Sequence, residues 1–175
     1  MLLPPGVERN AAIVSLGTMV YYQPTGKLWS AEATPAADTA PRQTLLFLHG
    51  FGGGSSAYEW SRVYPAFAQD YRVLAPDLIG WGRSDRPERP YQAEDYIHSI
   101  TEFIEKTCPD GPPIVVASSL TGAFVIRAAI ARPELFQSLI LTCPTGICDF
   151  GEDYKSKFFP QMVSIPFLGN LLYST

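Results

Sequence analysis

The stretch that decides the fold is residues 114–123, Ile-Val-Val-Ala-Ser-Ser-Leu-Thr-Gly-Ala. Its first half is apolar and β-branched, as in a buried strand, and its second half fits the start of a helix. Ser119 stands at the junction, where a tight turn of the G-x-S-x-G type would present its hydroxyl free of neighbouring side chains. That pattern requires small residues two positions before and two positions after the serine, and these are Ala117 and Thr121. Ser119 is therefore either a presented nucleophile or the ordinary cap of a helix.

Short apolar runs alternate with helical patterns on either side of this stretch. The predicted strands are two early antiparallel strands within residues 11–34, then residues 44–48, 71–75, 114–117 and 139–142. The helical patterns cover residues 56–67, 93–107 and 120–132, and the first opens with Ser-Ala-Tyr-Glu at residues 56–59, which has the form of a capping box. Strands that alternate with helices form a parallel sheet with right-handed crossovers and helices on both faces. We therefore predict an α/β fold with three layers, α/β/α, around a mostly parallel sheet.

Size and composition limit the classes of protein that fit. The 175 residues suit one domain, and 46% hydrophobic against 17% charged residues is typical of a soluble globular chain. A formal net charge of -4 with scattered Lys and Arg argues against a nucleic-acid partner. No apolar run reaches the ~18 residues of a membrane span, and the amino terminus lacks the features of a signal peptide. We expect a cytoplasmic protein without an integral membrane segment.

The glycine loop, residues 49–55, has two interpretations. Its glycines could cradle a phosphate, but Ser55 stands where G-x-G-x-x-G needs its third glycine, and no Lys-Ser/Thr pair completes a P-loop. In the other interpretation the backbone N–H of Phe51 joins that of Leu120 to stabilise a negative oxygen in acyl transfer. Three cysteines without metal-ligand spacing indicate no metal site, and we expect no cofactor.

Four motifs in a fixed order make the pattern specific. His-Gly-Phe-Gly-Gly at residues 49–53 is followed by Asp-Leu-Ile-Gly-Trp-Gly-Arg-Ser-Asp at residues 77–85. The serine turn, residues 117–121, comes next, and Ala-Arg-Pro-Glu-Leu-Phe at residues 131–136 follows it. In this order and spacing the chain resembles the α/β-hydrolase fold family, over roughly residues 44–142.

The resemblance assigns roles to several residues. It implies that the serine turn is a nucleophile elbow with Ser119 as the nucleophile, and that the backbone N–H groups of Phe51 and Leu120 form an oxyanion hole. It also implies a small-molecule substrate with an acyl group. Asp77 and Ser84 are better interpreted as groups that brace their loop than as catalytic groups.

Family enzymes also need an acid and a histidine, in the chain order Ser, Asp/Glu, His. No histidine follows Ser119 in this sequence. The resemblance implies a buried structural role for His49, and His98 lies one helical turn after Glu94, as in a solvated pair. Asp149 follows the last predicted strand, where some family members carry the acid, and it is our candidate for that role.

The resemblance also divides the chain. Residues 1–150 correspond to the amino-terminal part of the hydrolase core, and residues 151–175 resemble the start of a helical lid. We expect the chain to be truncated within that lid, before the acid and the histidine. The last strand would then lack its next partner, so we expect exposed apolar surface and self-association through the sheet edge.

Two functions remain open at this point. The first is a serine hydrolase acting on an ester, amide or thioester bond; the second is a non-catalytic truncated fragment or ligand-binding module of the same fold. A serine at the turn disfavours the epoxide-opening and dehalogenating relatives, which attack with aspartate, whereas carbon–carbon hydrolysis and cofactor-free peroxidation stay open. Because the histidine is missing, we expect this chain alone to be weakly active or inactive.

Overall fold

The fold of residues 5–24 and 42–146, which are the residues this computed structural model describes, consists of one sheet and the helices that cover it. The strands are β1 (Val7–Val14), β2 (Gly17–Pro24), β3 (Thr44–Leu48), β4 (Arg72–Pro76), β5 (Ile114–Ser118) and β6 (Ser138–Thr142). The α-helices are α1 (Ala93–Thr107) and α2 (Thr121–Ala131), and three 3₁₀ helices cover Ala57–Trp60, Tyr64–Phe67 and Pro133–Leu135.

The sheet has the strand order β1-β2-β4-β3-β5-β6. β1 pairs with β2 and β2 with β4 in antiparallel fashion, which confirms two early antiparallel strands, although β1 begins at Val7, before the predicted range of residues 11–34. The pairs β4–β3, β3–β5 and β5–β6 are parallel, as the strand–helix alternation predicts.

β3 and β5 are neighbours, which the sequence could not establish. Leu48 pairs with Ala117, so the chain leaves both strands side by side at the same edge of the sheet. The connection after β3 runs to β4 on one side, whereas the connection after β5 runs to β6 on the other. Binding sites of open α/β sheets lie at such a switch point, outside the carboxyl ends of the strands.

Two apolar layers enclose the sheet. On one face, Ile100 of α1 and Val125 of α2 pack with Leu46 and Leu74 in the larger buried cluster. On the other face, the first two 3₁₀ helices contribute to a second cluster that includes Phe47. The three-layer α/β/α prediction is confirmed, with 3₁₀ helices in one of the outer layers.

The single helix predicted over residues 56–67 is wrong, because two short 3₁₀ helices replace it. Pro65 opens the second one; proline lacks an N–H and clashes with the preceding turn inside an α-helix. Ser56 does cap the first helix, since its side chain accepts from the Tyr58 N–H. Glu59 does not complete a capping box, because its carboxylate accepts from the N–H of Gly50 instead.

Asp77, directly after β4, is buried and braces the loop that follows. Its carboxylate accepts hydrogen bonds from the Ala57 N–H at 2.7 Å, the Arg83 N–H at 2.8 Å and the Tyr22 hydroxyl at 3.1 Å. Burial, and then the neighbouring Asp77 charge, raise the pKa of Tyr22 to about 12. The carboxylate therefore connects three separate segments, as the bracing interpretation expects.

Ser84 and Gly82 complete this loop. The Ser84 hydroxyl donates to the Asp77 carbonyl at 2.6 Å. Gly82 has a φ of 50°, and a Cβ there would lie 2.1 Å from the Asp77 Cγ. The second glycine of Asp-x-x-Gly-x-Gly thus provides both the backbone conformation and the space that the carboxylate needs.

Several predictions fall outside the described residues: Asp149, Cys148, the boundary at residue 150 and the lid at residues 151–175. In the described part of the chain, no helix has the length and apolar character needed to cross a membrane. The same residues contain no group of three or more His, Cys, Asp or Glu side chains that could hold a metal ion.

Candidate active site

The serine turn joins β5 directly to α2. Ser119 has a φ of 54°, in the left-handed region, which costs a non-glycine residue about 1–2 kcal/mol. Its backbone is held on both sides, because the Ser119 N–H donates to the Thr142 carbonyl at 3.1 Å and the Ser119 carbonyl accepts from the Thr145 N–H at 3.2 Å. Cys143, directly after β6, also has a positive φ, 45°, and strained non-glycine residues of this kind cluster at functional sites.

The two positions flanking the serine are both buried. Ala117 is small, as the tight turn requires, and it belongs to the larger apolar cluster. Thr121 has a fixed partner for its hydroxyl, which donates to the His49 carbonyl at 2.6 Å. This threonine connects the start of α2 to the glycine loop, a role that the G-x-S-x-G pattern does not predict.

The glycine loop lies against the serine turn at Gly50. A Cβ at this position would lie 3.0 Å from the Ser119 Cβ and 3.3 Å from the Ser118 Oγ. Both distances are shorter than ordinary van der Waals contacts. Gly50 therefore permits an approach of the two segments that a side chain would allow only if one of them moved by a few tenths of an ångström.

His49 is fully buried, and both of its ring nitrogens are bound to backbone groups. Because a carbonyl can only accept, Nδ1 donates to the Gly50 carbonyl at 2.8 Å, and Nε2 accepts from the Leu78 N–H at 3.0 Å. Burial lowers the pKa of His49 below its usual value, so the neutral ring fits this arrangement. His49 occupies a structural position, as the resemblance implied.

The other histidine lies on α1. His98 is exposed, and Glu94, its predicted partner, forms an ion pair with Arg127 of α2 at 2.7 Å. The Arg127 hydrogen bond first, and the nearby His98 to a lesser extent, lower the pKa of Glu94, so His98 does lie beside this carboxylate in an exposed position, while α2 supplies the hydrogen-bonded partner. Such an exposed pair contributes little to stability.

The backbone N–H groups of Phe51 and Leu120 have no hydrogen-bond acceptor among the described residues. Gly50 and Phe51 share a trans peptide, in which the carbonyl and the N–H point in opposite directions. Since the carbonyl of Gly50 points to His49, the Phe51 N–H points away from that ring. Within residues 5–24 and 42–146, neither this N–H nor that of Leu120 donates to a protein acceptor.

An aromatic cluster holds the side chain of Phe51. Its ring makes edge contacts with Trp81, Tyr96 and Phe124, at centroid distances of 5.1, 4.7 and 5.4 Å. These partners come from the loop after β4, from α1 and from α2. Such contacts stabilise by about 0.5–1.5 kcal/mol each and restrict the position of the glycine loop.

The Ser119 hydroxyl has one hydrogen-bond partner among the described residues. Its Oγ lies 3.4 Å from the Thr145 Oγ1, in the loop after β6. A threonine hydroxyl can orient a serine but is too weak a base to take its proton. No local sequence pattern identifies Thr145, because its contact with Ser119 depends on the pairing of β5 with β6.

Comparison with known proteins agrees with this architecture. Residues 43–163, more than half of the chain, match the family described as alpha/beta hydrolase fold. A 2-hydroxy-6-oxo-6-(2'-aminophenyl)hexa-2,4-dienoic acid hydrolase of Metapseudomonas resinovorans is 31% identical over 115 residues, which are 65% of this chain and 40% of that protein. A haloalkane dehalogenase of Bradyrhizobium diazoefficiens is 30% identical over 139 residues, covering 79% of this chain and 40% of the relative.

Solved structures show the same similarity. A haloalkane dehalogenase loop variant from Bradyrhizobium elkanii superimposes with a TM-score of 0.61 at 25% identity, covering 77% of this chain and 39% of that one. The chain thus spans about 40% of the length of these relatives. On the family match and the shared architecture, the chain belongs to the α/β-hydrolase fold family.

Proposed function

We propose that this chain carries the nucleophile and the oxyanion hole of a serine hydrolase that acts on ester, amide or thioester bonds. The observation that carries the proposal is the strained φ of Ser119, 54°, in a turn that lies against Gly50. In support of it, Ser119 and Leu120 follow β5, Phe51 follows the neighbouring strand β3, and within residues 5–24 and 42–146 neither the Phe51 nor the Leu120 N–H donates to a protein acceptor. A helix cap needs no such approach of a second loop.

The proposed chemistry is acyl transfer. The Ser119 Oγ attacks the carbonyl carbon of the substrate while a base takes the hydroxyl proton, and the carbonyl oxygen becomes negative. The N–H groups of Phe51 and Leu120 donate to that oxygen, and each such donor lowers the barrier by about 3 kcal/mol. The intermediate then expels the protonated leaving group, and water hydrolyses the acyl-serine.

The base is the missing part of this site. His49 is committed to two backbone groups, and His98 is exposed on α1. We propose that the working enzyme supplies a histidine from outside these 175 residues, with Asp149 as a candidate for its acid. The chain alone would then turn over slowly or not at all, and in the limiting case it acts as a non-catalytic fragment or binding module.

The test is hydrolysis of 4-nitrophenyl acetate by the chain and by Ser119→Ala, with and without added imidazole as an external base. We expect slow turnover that imidazole stimulates and that Ser119→Ala abolishes, after subtraction of the imidazole blank. Equal stimulated turnover in both proteins would refute Ser119 as the nucleophile. Fast turnover without imidazole, lost in the variant, would show that the chain contains its own base.

Carbon–carbon hydrolysis is the second candidate, because one relative is named for a 2-hydroxy-6-oxo dienoic acid substrate. Its carbonyl would occupy the same proposed oxyanion hole, so the two candidates share Ser119, Phe51 and Leu120. Cleavage of such an acid by the chain with imidazole, but no cleavage of simple esters, would favour it. Self-association through the sheet edge and a cytoplasmic location also remain proposals.

A further inference from the structure

The peptide between His49 and Gly50 is held at both ends by side chains from other parts of the chain. Its carbonyl accepts from the Thr121 hydroxyl at 2.6 Å, and its N–H donates to the Glu59 carboxylate at 2.9 Å. Thr121 belongs to the first turn of α2, and Glu59 to the first 3₁₀ helix. Because α2 and the first 3₁₀ helix cover opposite faces of the sheet, the two side chains hold this peptide plane from both sides.

This peptide directly precedes the one that carries the Phe51 N–H. Once the plane of the His49–Gly50 peptide is fixed, the direction of the Gly50–Phe51 peptide depends on φ and ψ of Gly50. The hydrogen bond from His49 Nδ1 to the Gly50 carbonyl restricts these two torsions. The three side chains together hold the glycine loop in one orientation. Without Thr121 and Glu59, the His49–Gly50 peptide would lose both of its side-chain partners, and the torsions at Gly50 could vary more widely even though aromatic contacts hold the Phe51 ring.

Both residues depart from what their sequence patterns predict. Thr121 occupies a position where G-x-S-x-G has glycine, and Glu59 takes no part in the capping box that its spacing predicts. Thr121 is fully buried, and its hydroxyl bonds a carbonyl 72 positions away rather than one in its own helix. The Thr121 hydroxyl therefore contributes to the contact with the glycine loop and not to the hydrogen bonding within α2.

We propose that Thr121 and Glu59 are positioning residues that hold the His49–Gly50 peptide and thereby direct the Phe51 N–H toward the reacting oxygen. The inference rests on the proposed function, since it assigns their effect to the oxyanion hole of Ser119. Neither side chain takes part in bond making. Their effect is on the geometry of a donor, which matters most in the transition state.

The test compares Thr121→Val, Thr121→Ser and Glu59→Ala with the unmodified chain in imidazole-supported ester hydrolysis. Thr121→Val and Glu59→Ala should each lower kcat by about 10- to 100-fold with little change in KM, because a misplaced donor weakens transition-state binding. Thr121→Ser keeps the hydroxyl and should retain most of the activity. The double variant should lose less than the product of the single losses, because both act on one peptide.

Matched controls separate positioning from general destabilisation. Thr107→Val removes a similar buried bond, from the Thr107 hydroxyl to the Phe103 carbonyl at 2.7 Å in α1. Glu102→Ala removes a carboxylate that accepts from the Ser15 N–H at 2.6 Å. Both controls should keep kcat.

Hydrogen exchange gives a readout that needs no activity. The Gly50 amide should exchange about tenfold or more faster in Glu59→Ala and Thr121→Val than in the controls, because its peptide is released. Unchanged Gly50 exchange in these variants, or an equal fall of kcat in the controls, would overturn the positioning role. Turnover that survives in Ser119→Ala would refute the proposed function instead, while the exchange measurement still decides whether the peptide is held.

Discussion

The contact between Gly50 and the serine turn gives a sharp prediction for Gly50→Ala. The added Cβ would meet the Ser119 Cβ at 3.0 Å and the Ser118 Oγ at 3.3 Å, so one segment must withdraw by a few tenths of an ångström. The Ser119 Cβ is fixed by its own backbone, so relief of that contact requires a backbone shift, whereas the Ser118 Oγ can rotate away. We expect a loss of about 1–3 kcal/mol in the free energy of unfolding, typical of an overpacked site.

The same displacement should affect catalysis more strongly than its stability cost suggests. Complete loss of an oxyanion donor lowers kcat by about 100- to 1,000-fold, and we expect a displaced one to lower it by at least about tenfold. The assay is imidazole-supported hydrolysis of 4-nitrophenyl acetate, with urea unfolding in parallel. Gly53→Ala is the matched control, because a Cβ there meets nothing within 4 Å. Equal kcat in the two variants would refute the close approach.

Three further predictions concern stability and assembly. Because burial lowers the pKa of His49, the unfolded chain binds more protons than the folded chain below pH ~6.5. The free energy of unfolding should therefore decrease as the pH is lowered below that value, by up to about 1.4 kcal/mol per pH unit, and urea titrations that show no decline would contradict this. Asp77→Ala leaves buried donors unpaired and should cost about 3 kcal/mol or more in urea unfolding, whereas exposed Asp85→Ala should cost clearly less. Ile140 on edge strand β6 is 50% exposed, and Ile140→Lys should weaken the concentration-dependent association that we expect in sedimentation velocity; a chain that is monomeric at every concentration would oppose that expectation.

The elements that depend on local patterns were predictable from the sequence. α1 spans Ala93–Thr107, as predicted, because its apolar residues recur at helical spacing and the segment after Thr107 breaks the pattern. β5 and β6 begin or end within one residue of their predicted bounds. Short apolar runs between turn residues determine such strands with little help from the rest of the chain.

The features that depend on distant contacts were not predictable in this way. Pro65, which prevents the predicted helix over residues 56–67, is by contrast a local signal that the sequence itself contains. The Glu59 carboxylate accepts from the Gly50 N–H and not from the N–H groups at the start of its own helix. Glu94 forms its ion pair with Arg127 because α1 and α2 pack together. Such partners are set by the order of strands in the sheet, which the sequence patterns leave open.

The same distinction between local sequence patterns and distant contacts applies to the candidate site. The resemblance to a known family implied that the loops at Ser119 and Phe51 would meet, whereas the local patterns alone did not establish that β3 and β5 are neighbours. Thr121 and Thr145 acquire their contacts only when β3, β5 and β6 lie side by side, so no local pattern identified them. The chemical roles of Ser119, Phe51 and Leu120 stay predictions.

The central claim is that Ser119 is a nucleophile, and covalent trapping tests it most directly. The chain is incubated with a fluorophosphonate in the presence of imidazole, digested, and analysed by mass spectrometry, with Ser119→Ala as the control. We predict that the phosphonyl group is found on Ser119 and that the variant is unlabelled. Labelling of Ser118, Thr145 or exposed Cys143 in preference to Ser119, or equal labelling of the variant, would contradict the claim.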